Sequence, residues 1–246
     1  MALEKVIDRE LARAEKEQLD LTRALTRLLA FQVQAVTESR IERRIRESKL
    51  PERKLLADFD FVFQTGVDKT QILALSSLAF VERNQGVIFA GNSGTGKSHL
   101  AKALMLLACQ NLYRCRYTTA ADMLSDLLAG LADDSLEEKM KKYSRPSILL
   151  IDELGFDRLE QESARNASLF FKVIDARYGK NSTWLTTNID FKALGDYLGD
   201  PVVTTAIVDR MVHHAIIITI EGPSWRLHES KKLNHNTTRK KTKSSK

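Results

Sequence analysis

Hydrophobic positions in the first 50 residues follow a helical period. This segment contains neither Gly nor Pro and is rich in Glu, Arg, Leu and Ala, a composition typical of helices. A stripe that repeats every 3.6 residues normally faces another element, so we expect it to be buried. Apart from one polar interruption the stripe is apolar, and it consists of Leu21, Leu25, Leu28, Leu29, Gln32 and Val36. Pro51 should end the helix or limit it closely.

Beyond residue 57 the pattern changes to short apolar runs separated by helical lengths. This alternation predicts an α/β fold with a five-stranded, mostly parallel sheet covered by helices on both faces. The predicted strands are Val87–Ala90, Arg116–Thr119, Ile148–Ile151, Thr183–Thr187 and Ile216–Ile220. The predicted helices are 69–83, 97–111, 120–130, 135–142, 162–178, 191–198 and 203–212. We therefore predict a small helical N-terminal domain (1–57), an α/β domain (58–228) and a basic tail (229–246).

The tail accounts for the whole net charge of +6. Residues 229–246 contain seven Lys and Arg side chains and one Glu, whereas residues 1–228 contain 31 basic and 31 acidic side chains. A neutral body with a basic extension favours a polyanionic partner such as nucleic acid. A solvated extension without a partner fits the charge equally well. The low hydrophobicity of the last 16 residues predicts disorder unless they are bound.

The overall composition excludes several classes of protein. Hydrophobic residues make up 43% and charged residues 28% of the chain, as in ordinary globular proteins. No apolar run approaches the roughly 18 residues of a membrane helix, and the charged start MALEKVIDRE differs from a secretory signal. We therefore expect a cytoplasmic protein without a membrane partner. Cys109 and Cys115 lack a metal-ligand spacing and are expected to be reduced thiols that fill the core.

The strongest chemical signal is the segment GNSGTGKS, which lies between a predicted strand and a predicted helix. It is a complete P-loop motif in the context that the motif requires. Its glycines let backbone N–H groups surround phosphate oxygens, and the helix N-terminus adds a favourable dipole. Lys97 is predicted to reach the β- and γ-phosphates of ATP, and the Ser98 hydroxyl to bind Mg²⁺. The predicted nucleotide contacts in this segment are Gly91, Asn92, Ser93, Gly94, Thr95, Gly96, Lys97, Ser98 and His99.

Two carboxylates follow the apolar run Ile148–Ile151. A buried strand that ends in two acids is costly unless they hold a cation or a proton. Asp152 is predicted to be the acid of the Mg²⁺ site opposite Ser98. Glu153 is predicted to be the base that polarises the attacking water. The pair follows the P-loop by about 50 residues with one predicted strand between them, as in the branch of P-loop ATPases that uses a catalytic Glu.

Asn188 follows the predicted strand Thr183–Thr187. Side chains at the carboxyl end of a parallel strand lie in the crevice where open α/β sheets bind ligands. We therefore expect Asn188 to orient the lytic water against the γ-phosphate. The alternative is a structural Asn that caps a turn before Asp190.

Together, the P-loop, the Asp-Glu pair, the strand-end Asn and the Asp-Arg pair at 209–210 resemble the IstB-like AAA+ ATPases. The resemblance extends from about Arg40 to Leu227. It is also carried by ADFDFVF (57–63), YTTAADML (117–124), LLIDELGF (149–156), FKVIDARYGKNSTWLTTN (171–188), IVDRMVHH (207–214) and EGPSWRL (221–227). The fold implied is a three-layer P-loop NTPase of the AAA+ type. The chain differs from the family at Asn92, where Pro is more common, and in its shorter N-terminal region.

The resemblance implies an ATPase that forms homo-oligomers on target DNA and there recruits and activates a transposase. It further implies that Arg210 acts in the ATP site of a neighbouring subunit, so that ATP sites are shared. Arg226 is implied to sense the nucleotide after the last strand, and Arg177 to face a neighbouring subunit.

Two basic clusters are candidate DNA contacts. One surrounds Ile41 and Ile45, and the other ends the predicted helical insertion after the second strand. Their members are Arg40, Arg43, Arg44, Lys139, Lys141, Lys142 and Arg145. The second cluster fits equally well a Lys-rich helix end that complements the helix dipole. Because nothing in the chain resembles a base-reading helix-turn-helix, we expect recognition of the backbone and shape of duplex DNA.

Three functions remain open at this point. The first is the transposase helper, and the second is a DnaC-like helicase loader, which would favour single-stranded DNA. Stacking aromatic residues expected for single-strand binding are absent from residues 1–58 apart from Phe31, which favours the helper. The third is a scaffold that binds ATP without hydrolysing it. Intact Lys97, Asp152, Glu153 and Asn188 argue against the scaffold.

Overall fold

The secondary structure agrees with the predicted alternation of strands and helices. The computed structural model describes residues 7–156, 164–189 and 201–232. Within these ranges the strands are β1 (Gly86–Gly91), β2 (Cys115–Thr119), β3 (Ile148–Leu154), β4 (Ser182–Thr187) and β5 (Ala215–Ile220). The helices are α1 (Ile7–Lys16), α2 (Leu21–Ser48), α3 (Lys69–Leu75), α4 (Ala79–Glu82), α5 (Lys97–Gln110), α6 (Ala120–Ala132), α7 (Leu136–Ser144), α8 (Ala164–Arg177) and α9 (Pro201–His213). All five predicted strands are confirmed.

The strands form one parallel sheet in the order β2-β3-β4-β1-β5. In a parallel sheet all strands end at the same edge, so the carboxyl ends of the adjacent strands β3, β4 and β1 lie side by side. The order also places β2 and β5 at the two sides of the sheet. The P-loop after β1 and the acids of β3 are therefore separated by the width of β4 alone.

Two apolar layers cover the sheet, as the predicted three-layer α/β fold requires. One layer lies beneath α3, α4 and α5 and includes Phe80, Leu104 and Trp184. The other lies beneath α6, α8 and α9 and includes Leu124 and Phe170. Alternate residues of β1 and β4 point into opposite layers, so strands buried on both faces read as continuous hydrophobic runs. Both cysteines are buried free thiols, as predicted.

The predicted helix 69–83 is in fact two short helices, α3 and α4. Leu78 has a left-handed backbone with φ of 58°, which a continuous helix does not permit. Its side chain is nevertheless buried, so core packing outweighs the local cost of this conformation. The predicted helix 191–198 lies outside the described residues.

The predicted burial of the stripe on α2 is wrong. Leu21, Leu25 and Leu29 are 76%, 49% and 62% exposed, whereas Leu28 is buried. The C-terminal half of α2 packs on α5 and β2, where Ile45 enters the core. The exposed leucines lie in the N-terminal half, and the short helix α1 also packs on α2. A periodic pattern specifies an apolar face, but the length of the covering element decides how much of that face is buried.

The helix also ends where predicted, shortly before Pro51. Lys49 takes the left-handed conformation that commonly follows a helix and donates its N–H to the Arg46 carbonyl. At the other end, the Asp20 carboxylate accepts a hydrogen bond from the N–H of Arg23 and caps the first turn.

The boundary of the predicted tail needs correction. Residues 225–232 are helical, so the tail predicted to start at 229 begins inside a helix. The ring of Trp225 packs edge-on against Phe63 with centroids 5.0 Å apart, and the ring of His228 lies 4.6 Å from Phe63. These contacts hold the first turns against the α/β domain. Residues 233–246 lie outside the described part of the chain.

Arg177 does not face a neighbouring subunit, contrary to the implication of the resemblance. Its guanidinium is completely buried at the end of α8 and donates hydrogen bonds to the carbonyls of Tyr143, Pro146 and Ser182. Burial lowers the pKa of Arg177 to about 9, so the group remains charged at neutral pH. It therefore acts inside its own subunit, as a link between α7, α8 and β4.

Candidate nucleotide-binding site

The P-loop has the conformation expected of a phosphate-binding loop. It leaves β1 at Gly91 and enters α5 at Lys97. Gly96 has φ of 97°, and a Cβ atom there would lie 2.5 Å from the ring of Phe59. Any other residue at this position would be strained and would clash, so glycine is required on both grounds. The first turn of α5 points its free N–H groups towards the loop, which suits an anion.

Lys97 lies across the mouth of this loop. Its side chain is buried, and its Nζ donates hydrogen bonds to the carbonyls of Gly91 (2.8 Å) and Asn92 (2.7 Å). Burial lowers the pKa of Lys97, Asp152 opposes this effect, and Arg226 adds to it. A buried ammonium held by neutral carbonyls is a position where phosphate oxygens gain strongly from a fixed positive charge.

The Asp152 carboxylate is fully buried and has partners on both oxygens. Its Oδ1 accepts hydrogen bonds from Ser98 Oγ (2.8 Å) and from Thr186 Oγ1, and its Oδ2 accepts one from Tyr117 OH (3.0 Å). The structure thus brings together the two side chains predicted to hold Mg²⁺. This oxygen pair fits Mg²⁺, which uses few protein ligands and takes the rest from phosphates and water. The described residues contain no cluster of three or more His, Cys, Asp or Glu side chains that could hold a metal ion.

Glu153 faces the opposite way from Asp152. The pairing of β3 with β4 shifts register between Ile151 and Leu154, and Glu153 takes a left-handed backbone with φ of 63°. Its N–H donates to Thr186 Oγ1 (2.9 Å), which holds this bulge in place. Its side chain is exposed in the cleft beside the P-loop. Asp152 is therefore buried and held by hydrogen bonds, whereas the carboxylate of Glu153 is exposed to solvent.

Thr186 and Tyr117 are functional candidates that the sequence analysis missed. Thr186 lies on β4 beside Asp152, because Ile151 pairs with Leu185 in the sheet. Its hydroxyl donates to one acid and accepts from the backbone of the other. The polar Thr186 within the buried run TWLTT was the available signal. No signal in the sequence pointed to Tyr117, because its proximity to Asp152 depends on the pairing of β2 with β3.

Asn188 follows β4 directly and lies beside the turn after Glu153. A Cβ atom at Gly155 would lie 2.6 Å from the Asn188 Oδ1 atom, so the two segments are in contact. The side chain of Asn188 is exposed. The structure therefore places Asn188 at the carboxyl edge of the sheet, near the loop that carries Glu153.

The P-loop, Glu153 and Thr186 line a cleft of about 580 Å³. Its outer walls come from two segments, 52–64 before β1 and 222–229 after β5. The N–H of Trp225 donates to the Gly94 carbonyl (2.9 Å), and Gln64 Nε2 donates to the Thr95 carbonyl (3.0 Å). Both segments are thus attached to the P-loop itself.

Arg226 and His99 also lie on this cleft. The Arg226 side chain is exposed and close enough to Lys97 to affect its pKa. His99 lies on α5, and one of its ring nitrogens is 2.9 Å from the Leu55 carbonyl. Arg226 and His99, which were predicted to contact the nucleotide, therefore both lie on the cleft.

Arg210 lies at the other edge of the sheet. It shares a small depression with Gly86 and Asn181, which lie at the starts of β1 and β4. Its Nε donates to Asp175 Oδ1 (2.8 Å), and its guanidinium lies 4.8 Å from the centre of the Phe171 ring. Arg210 therefore cannot serve the cleft of its own chain, and its predicted role in a neighbouring site stays a prediction.

The basic residues predicted to bind DNA are distributed over two surfaces. Those of α7 have acidic partners: Lys139 pairs with Asp133 (3.4 Å) and Lys142 with Asp126 (2.6 Å). Lys141 pairs with Glu137, and on α2 both Arg43 and Arg44 lie within 4 Å of Glu47. Within the described residues, Arg40 and Arg145 are exposed and form no ion pair. The charge available to DNA is therefore smaller than the sequence indicates.

Comparison with known proteins identifies the family of this chain. The family of IstB-like ATP binding proteins matches residues 2–233, which include the whole cleft. The chain belongs to the IstB-like family. It is 36% identical over 231 residues to the "Insertion sequence IS21 putative ATP-binding protein" of Pseudomonas aeruginosa, covering 93% of this chain and 86% of that protein. It is also 36% identical over 210 residues to the "Insertion sequence IS232 putative ATP-binding protein" of Bacillus thuringiensis subsp. berliner, covering 85% and 83%.

Solved structures place this IstB-like chain in the AAA+ fold. The DnaC helicase loader superposes with a TM-score of 0.52 and 22% identity over 62% of this chain and 87% of that chain. At this identity the likeness concerns the fold alone. The predicted fold class, an AAA+ P-loop ATPase fold preceded by helices, is confirmed, and so is the predicted resemblance to the IstB-like family.

Proposed function

We propose that this IstB-like protein binds Mg²⁺ and ATP in the cleft, hydrolyses ATP, and uses the nucleotide state to control its assembly on duplex DNA, where it recruits and activates a transposase. The observation that carries the chemical part is the convergence of Ser98 and Asp152, 2.8 Å apart, beside the P-loop. Membership of a family of ATP-binding proteins supports it. The names of the relatives, which refer to insertion sequences, support the link with transposition.

Each cleft residue has a distinct part in this proposal. Lys97 gives up its carbonyl partners and binds phosphate oxygens, while Ser98 and Asp152 hold Mg²⁺. Mg²⁺, when bound, supplies positive charge that offsets the charge of the phosphates. Glu153, exposed on its bulge, accepts the proton of the attacking water. Asn188 orients that water from the adjacent strand end.

The position of Arg210 supports a site shared between subunits. The described cleft residues include the proposed base, metal ligand and phosphate-binding loop, and both exposed arginines on the rim, Arg53 and Arg226, belong to the same chain. Arg210 lies half-buried at the opposite edge of the sheet, beside Asp175. An arginine that enters from a neighbour stabilises charge on the transferred phosphoryl group and makes hydrolysis depend on assembly.

DNA binding is the least specified part of the proposal. Arg40 and Arg145 are the exposed candidates without ion pairs among the described residues, and the tail adds further basic side chains. These groups suit contacts with phosphates rather than with bases. We expect stronger binding to duplex than to single-stranded DNA, and a preference for single strands would favour a helicase loader instead.

The proposed chemistry is tested by comparing Lys97→Ala with Glu153→Gln. Lys97→Ala should lose ATP binding, because the phosphates lose their fixed cation. Glu153→Gln should bind ATP normally and hydrolyse it at least about 100-fold more slowly, because only the base is removed. Nucleotide binding is measured with a fluorescent ATP analogue, and hydrolysis by phosphate release. Near-normal turnover by Glu153→Gln would remove Glu153 from catalysis, and normal nucleotide binding by Lys97→Ala would contradict the assignment of the cleft.

A further inference from the structure

Lys102 forms a contact with the predicted metal site that no P-loop motif requires. It lies on α5 one turn after Ser98, so both side chains point to the same side of the helix. Its Nζ is 3.6 Å from Asp152 Oδ2 and 3.3 Å from Glu52 Oε1. The ammonium also lies 5.4 Å from the centre of the Tyr117 ring. The Lys102 side chain is only 12% exposed and Asp152 is fully buried, so water competes little with that contact, whereas Glu52 is 47% exposed.

This lysine helps to determine which way the Asp152 carboxylate faces. Lys102 and Tyr117 hold Oδ2, and that leaves Oδ1 turned towards the Ser98 hydroxyl. A carboxylate with no exposure needs a nearby positive charge. Because Lys97 is engaged by the P-loop carbonyls, Lys102 is the cation that forms an ion pair with Asp152 among the described residues.

Glu52 belongs to the linker that joins α2 to the α/β domain. The next residue, Arg53, forms a two-point ion pair with Glu42 on α2, at 3.0 and 2.5 Å. Two residues after Arg53, the Leu55 carbonyl lies 2.9 Å from a ring nitrogen of His99 on α5. The linker is therefore attached on one side to the N-terminal helices and on the other to the nucleotide cleft. Lys102 joins this linker directly to Asp152.

We propose that Lys102 is a positioning residue shared between Asp152 and Glu52. Through it, binding of Mg²⁺ at Asp152 changes the strength of the Lys102–Glu52 ion pair, which attaches the linker of the N-terminal helices to α5. The inference rests on the proposed function, because it requires Asp152 to hold Mg²⁺. A divalent cation at Asp152 competes with the ammonium for the carboxylate and repels it, so the pair with Glu52 strengthens. By reciprocity, a linker that holds Lys102 away from Asp152 favours the metal. The nucleotide state is thus coupled to the linker and to the N-terminal helices, which lie outside the sheet.

The test measures backbone hydrogen exchange of residues 49–56 in the full chain. The protein is saturated with a non-hydrolysable ATP analogue, either with MgCl₂ or with EDTA, so that only the metal differs. In the wild-type protein we expect Mg²⁺ to slow exchange in this segment about five- to tenfold, the lower end of the range typical for coupling between sites. Lys102→Met and Glu52→Gln should each abolish the difference, whereas Lys102→Arg, which keeps the charge, should retain it.

Lys54→Met is the matched control. Lys54 pairs with Glu52 Oε2 at 3.1 Å, whereas Lys102 pairs with the other oxygen, Oε1, and Lys54 forms no ion pair with Asp152 among the described residues. The Mg²⁺ effect should therefore survive this substitution. An unchanged Mg²⁺ effect in Lys102→Met would overturn the inference and leave the proposed function intact. A wild-type protein that binds the analogue equally well with and without Mg²⁺, and shows no metal binding of its own, would overturn the proposed role of Asp152 and the inference with it.

Discussion

The two edges of the sheet carry different functional groups: the P-loop and two acids lie at the carboxyl edge, and two arginines lie at the amino edge. At the carboxyl edge, the ends of β1, β3 and β4 bring together a phosphate cradle, a buried acid and an exposed acid. At the amino edge, Arg177 is buried among carbonyls, while Arg210 lies partly exposed beside Asp175 and two aromatic rings. The P-loop with its two acids and the partly exposed Arg210 therefore lie at opposite edges of the sheet, too far apart to act together within one chain.

The largest expected effect concerns Arg210. If it enters a neighbour's site, Arg210→Ala should bind ATP almost normally and lose hydrolysis by a factor on the order of 10³–10⁵, as for other arginines that stabilise the transferred phosphoryl group. The rate of ATP hydrolysis per protein chain should also rise with protein concentration in the wild-type protein, because assembly completes the sites. Steady-state phosphate release over a range of protein concentrations measures both effects.

Mixing two inactive variants sharpens this test. Arg210→Ala has an intact P-loop and Lys97→Ala has an intact Arg210, so some interfaces in a mixed assembly regain both. Part of the activity should then return. If the variants co-assemble by light scattering and no activity returns, the two edges do not combine across subunits, and Arg210 has a structural role.

The second prediction compares the two arginines of the amino edge. Arg177→Met should reduce the free energy of unfolding by about 3 kcal/mol or more, because several buried carbonyls lose their donor at once. Arg210→Ala should cost less than about 1 kcal/mol, because its ion pair is partly exposed to water. Urea unfolding followed by circular dichroism distinguishes them. Equal losses would mean that both arginines mainly hold their own subunit together.

The third prediction concerns Thr186 at the carboxyl edge. Thr186→Val keeps the shape of the side chain but removes the hydroxyl that links Asp152 to the backbone of Glu153. Losing one buried hydrogen-bonding group typically costs about 1–3 kcal/mol, so Mg²⁺-dependent ATP hydrolysis should fall roughly ten- to hundredfold. Thr219→Val, on the exposed side strand β5, is the control and should hydrolyse ATP normally. Unchanged hydrolysis by Thr186→Val would show that Asp152 and Glu153 keep their positions without the Thr186 hydroxyl.

The smallest effect on the site should come from the tail. Truncation after Lys232 removes five basic residues and leaves every cleft residue in place. ATP hydrolysis without DNA should be unchanged. If the five removed residues neutralise phosphates, the log–log slope of duplex affinity against salt concentration should become less steep by up to about 4.5, at roughly 0.9 per phosphate. Fluorescence anisotropy at several salt concentrations measures this, and an unchanged slope would indicate that the tail does not contact DNA.

Local signals in the sequence were sufficient for the centre of the site. The P-loop and the pair Asp152 and Glu153 each belong to a short stretch of chain, the P-loop directly after β1 and the pair near the end of β3. Thr186, Tyr117 and Lys102 could not be assigned in the same way. Their contacts with Asp152 depend on which strands are neighbours and on the register between them.

The sequence by itself determined the order of strands and helices along the chain, the phosphate-binding loop and the identity of the two acids. These follow from periodicity, from the conformational freedom of glycine and from the chemistry of carboxylates. Only the tertiary structure decided that Arg177 is internal, that much of the stripe on α2 is exposed, and that Asp152 is buried while Glu153 is free. Burial depends on what packs against a residue, and the packing partners of these residues lie far away in the chain.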